Sequence, residues 1–143
     1  MPRIMALALV AMMGLAACSH GGDAKDSEEE QGAPTAACPA ASPALATTPK
    51  LPAKFPSPRE ATYTASSKPG PSLVVVGYFS DDLDGAFAAY KDAFQSAGYT
   101  LTKSEQDPRD AELDWSGQNT TGEVKMDWSC TGRTELTITV RPA

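Results

Sequence analysis

Apolar and polar residues change rhythm twice along this chain. Ile4 to Ala17 is almost wholly apolar. Residues 19–58 are polar, charged or rich in Pro, Ala, Ser and Thr, and Phe55 is their one aromatic side chain. From Ala61 onward the apolar residues recur with regular periods, as expected of a folded domain.

Within that domain, residues 61–66 alternate weakly around Tyr63, and Ser66-Ser67-Lys68-Pro69-Gly70-Pro71 is a strong turn signal. Leu73 to Phe79 is β-branched and aromatic, which predicts a well-buried strand able to form a hairpin with residues 61–66. Leu83, Phe87, Tyr90, Phe94 and Ala97 then recur at helical spacing and predict one amphipathic helix. Asp81 and Asp82 stand where acidic side chains cap free amides, and Gly98 stands where a left-handed C-terminal cap belongs.

Further strands are expected from Tyr99 to Ser104 and around Ala111-Leu113-Trp115, Val124-Met126-Trp128-Cys130 and Leu136-Ile138-Val140, each with one apolar and one polar face. Alternation suggests a register. With Gly117 to Gly122 as a loop, Trp115 faces Val124, Leu113 faces Met126 and Ala111 faces Trp128. With Thr131-Gly132-Arg133 as a three-residue connection, Trp128 faces Leu136 and Met126 faces Ile138. These registers pair Asp114 with Lys125 and Glu123 with Arg141 on the outer face. The expected fold class is α+β: an antiparallel sheet of four to five strands covered on one face by a single amphipathic helix.

Charge narrows the chemistry. The formal net charge of −6 is spread over the 143 residues, so no basic stripe offers itself to nucleic acid. His20 is the only histidine and stands two residues after Cys18, which excludes a His-based triad or a His-rich zinc site in the domain. Asp81-Asp82-Leu83-Asp84-Gly85 has the look of a calcium loop, but the twelfth position from Asp82 is Ala93 rather than Glu. Capping accounts for these aspartates. Trp115 and Trp128 fit a ligand-stacking platform less well than the core, since they alternate with Leu113 and Met126. Glu112, Asp114 and Asp127 lie on a polar face beside Lys125, which suits a solvated surface better than a glycosidase pair. No catalytic residue, metal ligand or cofactor is expected, and no ligand-binding residue is assigned.

The apolar run addresses the chain. Fourteen helical residues rise about 21 Å, short of the roughly 30 Å hydrocarbon core, and so read as the apolar region of a signal peptide. It closes on Leu15-Ala16-Ala17-Cys18, which resembles the lipobox of bacterial lipoproteins. The resemblance implies lipid transfer to the Cys18 thiol, cleavage before Cys18 and acylation of the new amine by a fatty acid such as palmitate. Two or three acyl chains give stable membrane anchoring. Ser19 is not the Asp that retains many such proteins in an inner membrane, so the expected location is the outer membrane of a Gram-negative cell or the outer face of a Gram-positive cell membrane.

Three segments follow: a signal peptide over 1–17, a lipidated, disordered tether over 18–58, and a domain over 59–143. Pro49-Lys50-Leu51-Pro52 shows PxxP spacing, a frequent chance match in such sequence. With Cys18 modified, Cys38 and Cys130 remain as a pair, and outside the cytoplasm such a pair is expected to form a disulfide.

Residues 73–142 carry a second resemblance. An apolar strand, then Asp-Leu-Asp-Gly-Ala-Phe-Ala-Ala-Tyr-Lys from Asp82, then Ala97-Gly98-Tyr99-Thr100 and Asp110-Ala111-Glu112-Leu113, is similar to small bacterial lipoproteins of unassigned function. It brings no catalytic residues. The expected function is a non-enzymatic interaction module of the cell envelope, with an envelope protein or cell-wall component as partner. The alternative is a small-molecule binder using a groove between helix and sheet.

Overall fold

The computed structural model describes residues 36–143. Cys18, the signal segment and the tether up to residue 35 lie outside the described residues. The elements are β1 (Ala61–Ser67), β2 (Leu73–Phe79), α1 (Leu83–Ser96), β3 (Thr100–Gln106), β4 (Asp110–Gly117), β5 (Thr120–Cys130) and β6 (Arg133–Pro142). The strands form one antiparallel sheet in the order β1-β2-β6-β5-β4-β3. It has six strands rather than four to five, because the weakly alternating run around Tyr63 pairs with β2 on both sides of a bulge at Thr64.

The topology follows from where α1 crosses. The chain leaves β2, runs diagonally as α1 over the apolar face and enters the sheet at its far edge as β3. The β3–β6 meander then returns until β6 pairs with β2. No helix among the described residues is long and apolar enough to cross a membrane.

Local chemistry fixes both ends of α1. The Asp82 side chain accepts the Gly85 amide at 3.0 Å, the N-cap role expected of it. At the other end Gly98 has φ +79°, its amide donates to Gln95 O, and the Tyr99 amide donates to Phe94 O. This is a Schellman cap, completed by Tyr99 packing edge-on against Phe94 with ring centroids 5.6 Å apart. The buried stripe is Leu83, Ala86, Tyr90 and Phe94. Phe87 is half-buried, with Lys91 Nζ 5.5 Å from its ring centre.

Both hairpin registers differ from expectation, although the predicted apolar faces of β4, β5 and β6 are right; β2, expected to be well buried, leaves Val76 40% exposed on its outer side. The β4–β5 turn is two residues, Gln118-Asn119, both left-handed at φ +53° and +58°, and Gly117 pairs with Thr120. Two residues with positive φ make the turn type whose twist suits a tight hairpin. Trp115 therefore faces Gly122, Leu113 faces Val124 and Ala111 faces Met126. Gly122 is what the Trp115 indole needs. A Cβ there would lie 2.4 Å from a Trp115 ring carbon and 2.1 Å from Thr139 O.

At the β5–β6 turn, Cys130 pairs with Arg133 around Thr131-Gly132, and Trp128 pairs with Thr134 rather than Leu136. A two-residue loop would flip the last strand, but a bulge between Trp128 and Cys130 adds the residue that restores its face. On the outer face Glu112 faces Lys125, Asp114 faces Glu123 and Thr121 faces Arg141, so the expected Asp114–Lys125 and Glu123–Arg141 pairs do not form across the ladder.

The stretch expected to be a free tether up to residue 58 is held against the domain from Cys38 on. Cys38 and Cys130 meet as a disulfide pair with Cα atoms 5.2 Å apart. The Leu45 amide donates to Tyr63 O, Leu51 packs on the core, and Phe55 is buried within it. The Phe55 ring meets those of Phe94, Trp115 and Tyr99 at 5.4, 5.5 and 6.3 Å. This strap covers part of the apolar sheet face that one fourteen-residue helix leaves open. Composition argued for a free chain because Pro, Ala and Ser dominate; two apolar side chains and one cysteine outweigh that average.

Candidate functional site

The core between helix and sheet is filled. Tyr90, Phe94, Trp115, Leu113, Met126 and Ile138 are all essentially inaccessible to solvent. Phe94 stacks on Trp115 at 5.6 Å, and Tyr99 closes edge-on at 5.3 Å. None of the cavities described below is lined by a residue of α1. Those core side chains, with Leu83 and Phe79, occupy the space between helix and sheet.

Three polar atoms are buried there without hydrogen bonds to described residues: the Tyr90 hydroxyl and the Nε1 atoms of Trp115 and Trp128. Burial, and after it the neighbouring Tyr63 hydroxyl, pushes the Tyr90 phenol above its ordinary range. Burial also raises Tyr99, whose hydroxyl donates to Ala53 O on the strap at 3.3 Å. Trp115 is a core residue. Trp128 is half-buried at the core margin, so the two indoles do not form a common platform.

The carboxylates singled out from the sequence lie on the outer sheet face. Glu112 and Asp114 are half-buried and Asp127 is exposed. Buried Thr134 donates its hydroxyl to Asp81 O at 3.1 Å. Lys103 Nζ lies 3.0 Å from Glu105 and 3.1 Å from Glu112, and its hydrogen bonds to them raise the lysine above its usual range. Lys125 reaches Asp127 at 3.9 Å. Glu112, Asp114 and Glu123 bring carboxylate oxygens within 4.8 Å of one another, a spacing that suits a cation, although Lys103 already partly neutralises the group. Asp81 and Asp82 serve the helix terminus, with Asp81 accepting the Asp82 amide at 2.8 Å.

Sequence reasoning missed a cleft at one end of the sheet. There the strap, the β1–β2 turn, the β4–β5 hairpin and the end of β6 enclose about 340 Å³. Lys50 comes from the strap, Lys68 from the turn and Arg141 from β6. Leu73 and Val140 supply apolar surface, and Gln118 and Thr120 come from the hairpin. No carboxylate side chain lines it. A neighbouring cavity of about 390 Å³ shares Lys50, Lys68 and Leu73 and adds Ser66 and Ser67. Lys50 belongs to the PxxP motif, and Leu51 within that motif packs on the chain's own core. The three cations are remote in sequence, and only the fold brings them together.

A third cavity, of about 320 Å³, opens on the outer sheet face between the strap and Val76-Tyr78. The Arg133 guanidinium lies 5.4 Å from the Tyr78 ring centre and donates to Pro39 O at 2.8 Å, tying the strap to that face.

Comparison with known proteins returns no match: no family model, no curated protein and no solved structure matches the chain.

Proposed function

We propose that this chain is a lipid-anchored lipoprotein of the cell envelope, joined to the membrane through acyl chains on Cys18, and that its domain is a non-enzymatic interaction module. One observation supports the reading above others: Cys38 and Cys130 pair, which leaves Cys18, directly behind the apolar run, as the third cysteine. Disulfides persist outside the cytoplasm, where a lipoprotein works. The pair also shortens the spacer. Between Cys18 and Cys38 lie residues 19–37, which reach at most about 65 Å when fully extended.

The six-stranded sheet offers a partner its outer face, where Thr137, Thr139 and Lys125 lie on the side away from the helix. An envelope protein or a cell-wall component, reached from the outer membrane or from the cell membrane, is the partner that suits such a tether. The test is photo-cross-linking in intact cells, with the cross-linker at Thr137 on the outer sheet face or at Ala88 on the exposed side of α1. One defined cross-linked product from Thr137, absent from Ala88 and lost in Cys18→Ala, supports the reading. Equal patterns from both positions, or products indifferent to Cys18→Ala, contradict it.

A further inference from the structure

We propose that the cleft at the sheet end is a binding site for a small phosphate ester, held by Lys50, Lys68 and Arg141. In a chain of net charge −6, three cationic residues from three separate elements line one cleft that no carboxylate side chain lines. None of the three side chains makes an ion pair or a hydrogen bond to a described residue. Lys103 and Lys125, on the outer sheet face, both sit on carboxylates. Arg141 also borders the outer face where Asp114 and Glu123 lie, and it is ion-paired with neither. Converging like charges repel, and a bound anion removes that cost.

Geometry selects the anion. A planar carboxylate is satisfied by one guanidinium fork. A tetrahedral phosphate offers several oxygens in different directions and suits cations arriving from the strap, the turn and β6. The volume of about 340 Å³ exceeds what a bare phosphate fills, and it falls in the range of small-molecule sites. Leu73 gives the remainder of an ester an apolar surface. Lys50 reaches the cleft because Leu51 and Phe55 seat the strap on the core, so the site needs the strap in place. The proposal does not depend on the anchor at Cys18.

A soluble phosphate ester and an anionic lipid headgroup carry the same chemistry, and calorimetry separates them. The chain as isolated from cells, in uncharged detergent, is titrated with glycerol 1-phosphate and with dihexanoyl phosphatidylglycerol below its micelle concentration. Dihexanoyl phosphatidylcholine is the zwitterionic control. The variant Lys50→Gln/Lys68→Gln/Arg141→Gln should weaken binding roughly tenfold or more, since exposed charge contacts each contribute a few-fold. The charge-matched Lys91→Gln/Arg109→Gln/Lys125→Gln variant should change it by no more than about twofold. All three cleft residues are exposed, and an unchanged unfolding midpoint confirms that the variant is folded. The single variant Lys68→Gln in the turn serves if it is not. Tighter binding of the lipid than of glycerol 1-phosphate assigns the headgroup; equal binding assigns a soluble ester. The absence of binding to either, equal binding of the phosphatidylcholine, or equal loss in the charge-matched variant overturns the site.

Discussion

Phe55 separates a strap from a tether. If residues 19–58 were a free spacer, Phe55→Ala would leave domain stability unchanged. In the structure the ring is 9% exposed and lies within 5.4–6.3 Å of the Phe94, Trp115 and Tyr99 rings. Truncating a buried Phe to Ala costs about 3–5 kcal/mol. The strap is not part of the sheet and can settle into some of the vacated space, so the lower end, about 3 kcal/mol, is expected. For a domain of this size that corresponds to a fall of roughly 12 °C or more in unfolding midpoint. The assay is urea and thermal unfolding followed by Trp fluorescence. Trp115 reports directly, because Phe55 covers its ring. The chain should remain folded, since small domains have about 5–15 kcal/mol to lose. A loss below about 1 kcal/mol, within the range of ordinary surface substitutions and small perturbations, would refute the packing of the strap on the core.

Three other outcomes follow from the same packing. Cys38→Ser should destabilise the domain by about 2–5 kcal/mol, the usual range for losing a native bridge, with reductant producing the same shift in the parent chain; an unchanged midpoint in both would show the pair is not closed. Gly122→Val should cost at least about 2 kcal/mol in urea unfolding, since its Cβ meets Thr139 O and the Trp115 ring; a neutral result would contradict the Trp115–Gly122 register. Tyr90→Phe should be neutral or stabilising at pH 7, because it removes a buried hydroxyl that, beside Tyr63, makes no well-formed hydrogen bond among the described residues. The folded-state pKa of Tyr90 is raised, so its contribution is fully present below the ordinary value near 10 and is lost as pH climbs above it. The parent should therefore show an alkaline loss of stability from about pH 10 that Tyr90→Phe reduces, and identical alkaline profiles would overturn the assignment.

What the sequence made legible was local. Asp82, the Leu83-to-Phe94 stripe and Gly98 each act within a few residues, and α1 forms where they say. Alternation likewise assigned the apolar faces of β4, β5 and β6. It left the register open, because a slip of two residues preserves every face. The deciding details are the left-handed Gln118-Asn119 turn and the fit of Gly122 under Trp115, neither of which alternation registers. The bulge before Cys130 was hidden for the same reason: one extra residue lets a shorter turn give the same faces. The strap was hidden by averaging over a Pro- and Ala-rich stretch, although Phe55 was visible as its one aromatic. The cleft was the least legible feature, since Lys50, Lys68 and Arg141 acquire meaning only once β6 returns beside β2 and the strap lies across them.

The central claim is the lipid on Cys18, and mass spectrometry of the chain extracted from membranes tests it most directly. The account predicts an N-terminal peptide that begins at Cys18 and carries a diacylglyceryl group on its thiol and an acyl chain on its amine, with membrane association lost in Cys18→Ala. An unmodified Cys18 peptide, or a membrane-bound chain that still carries residues 1–17, would contradict it.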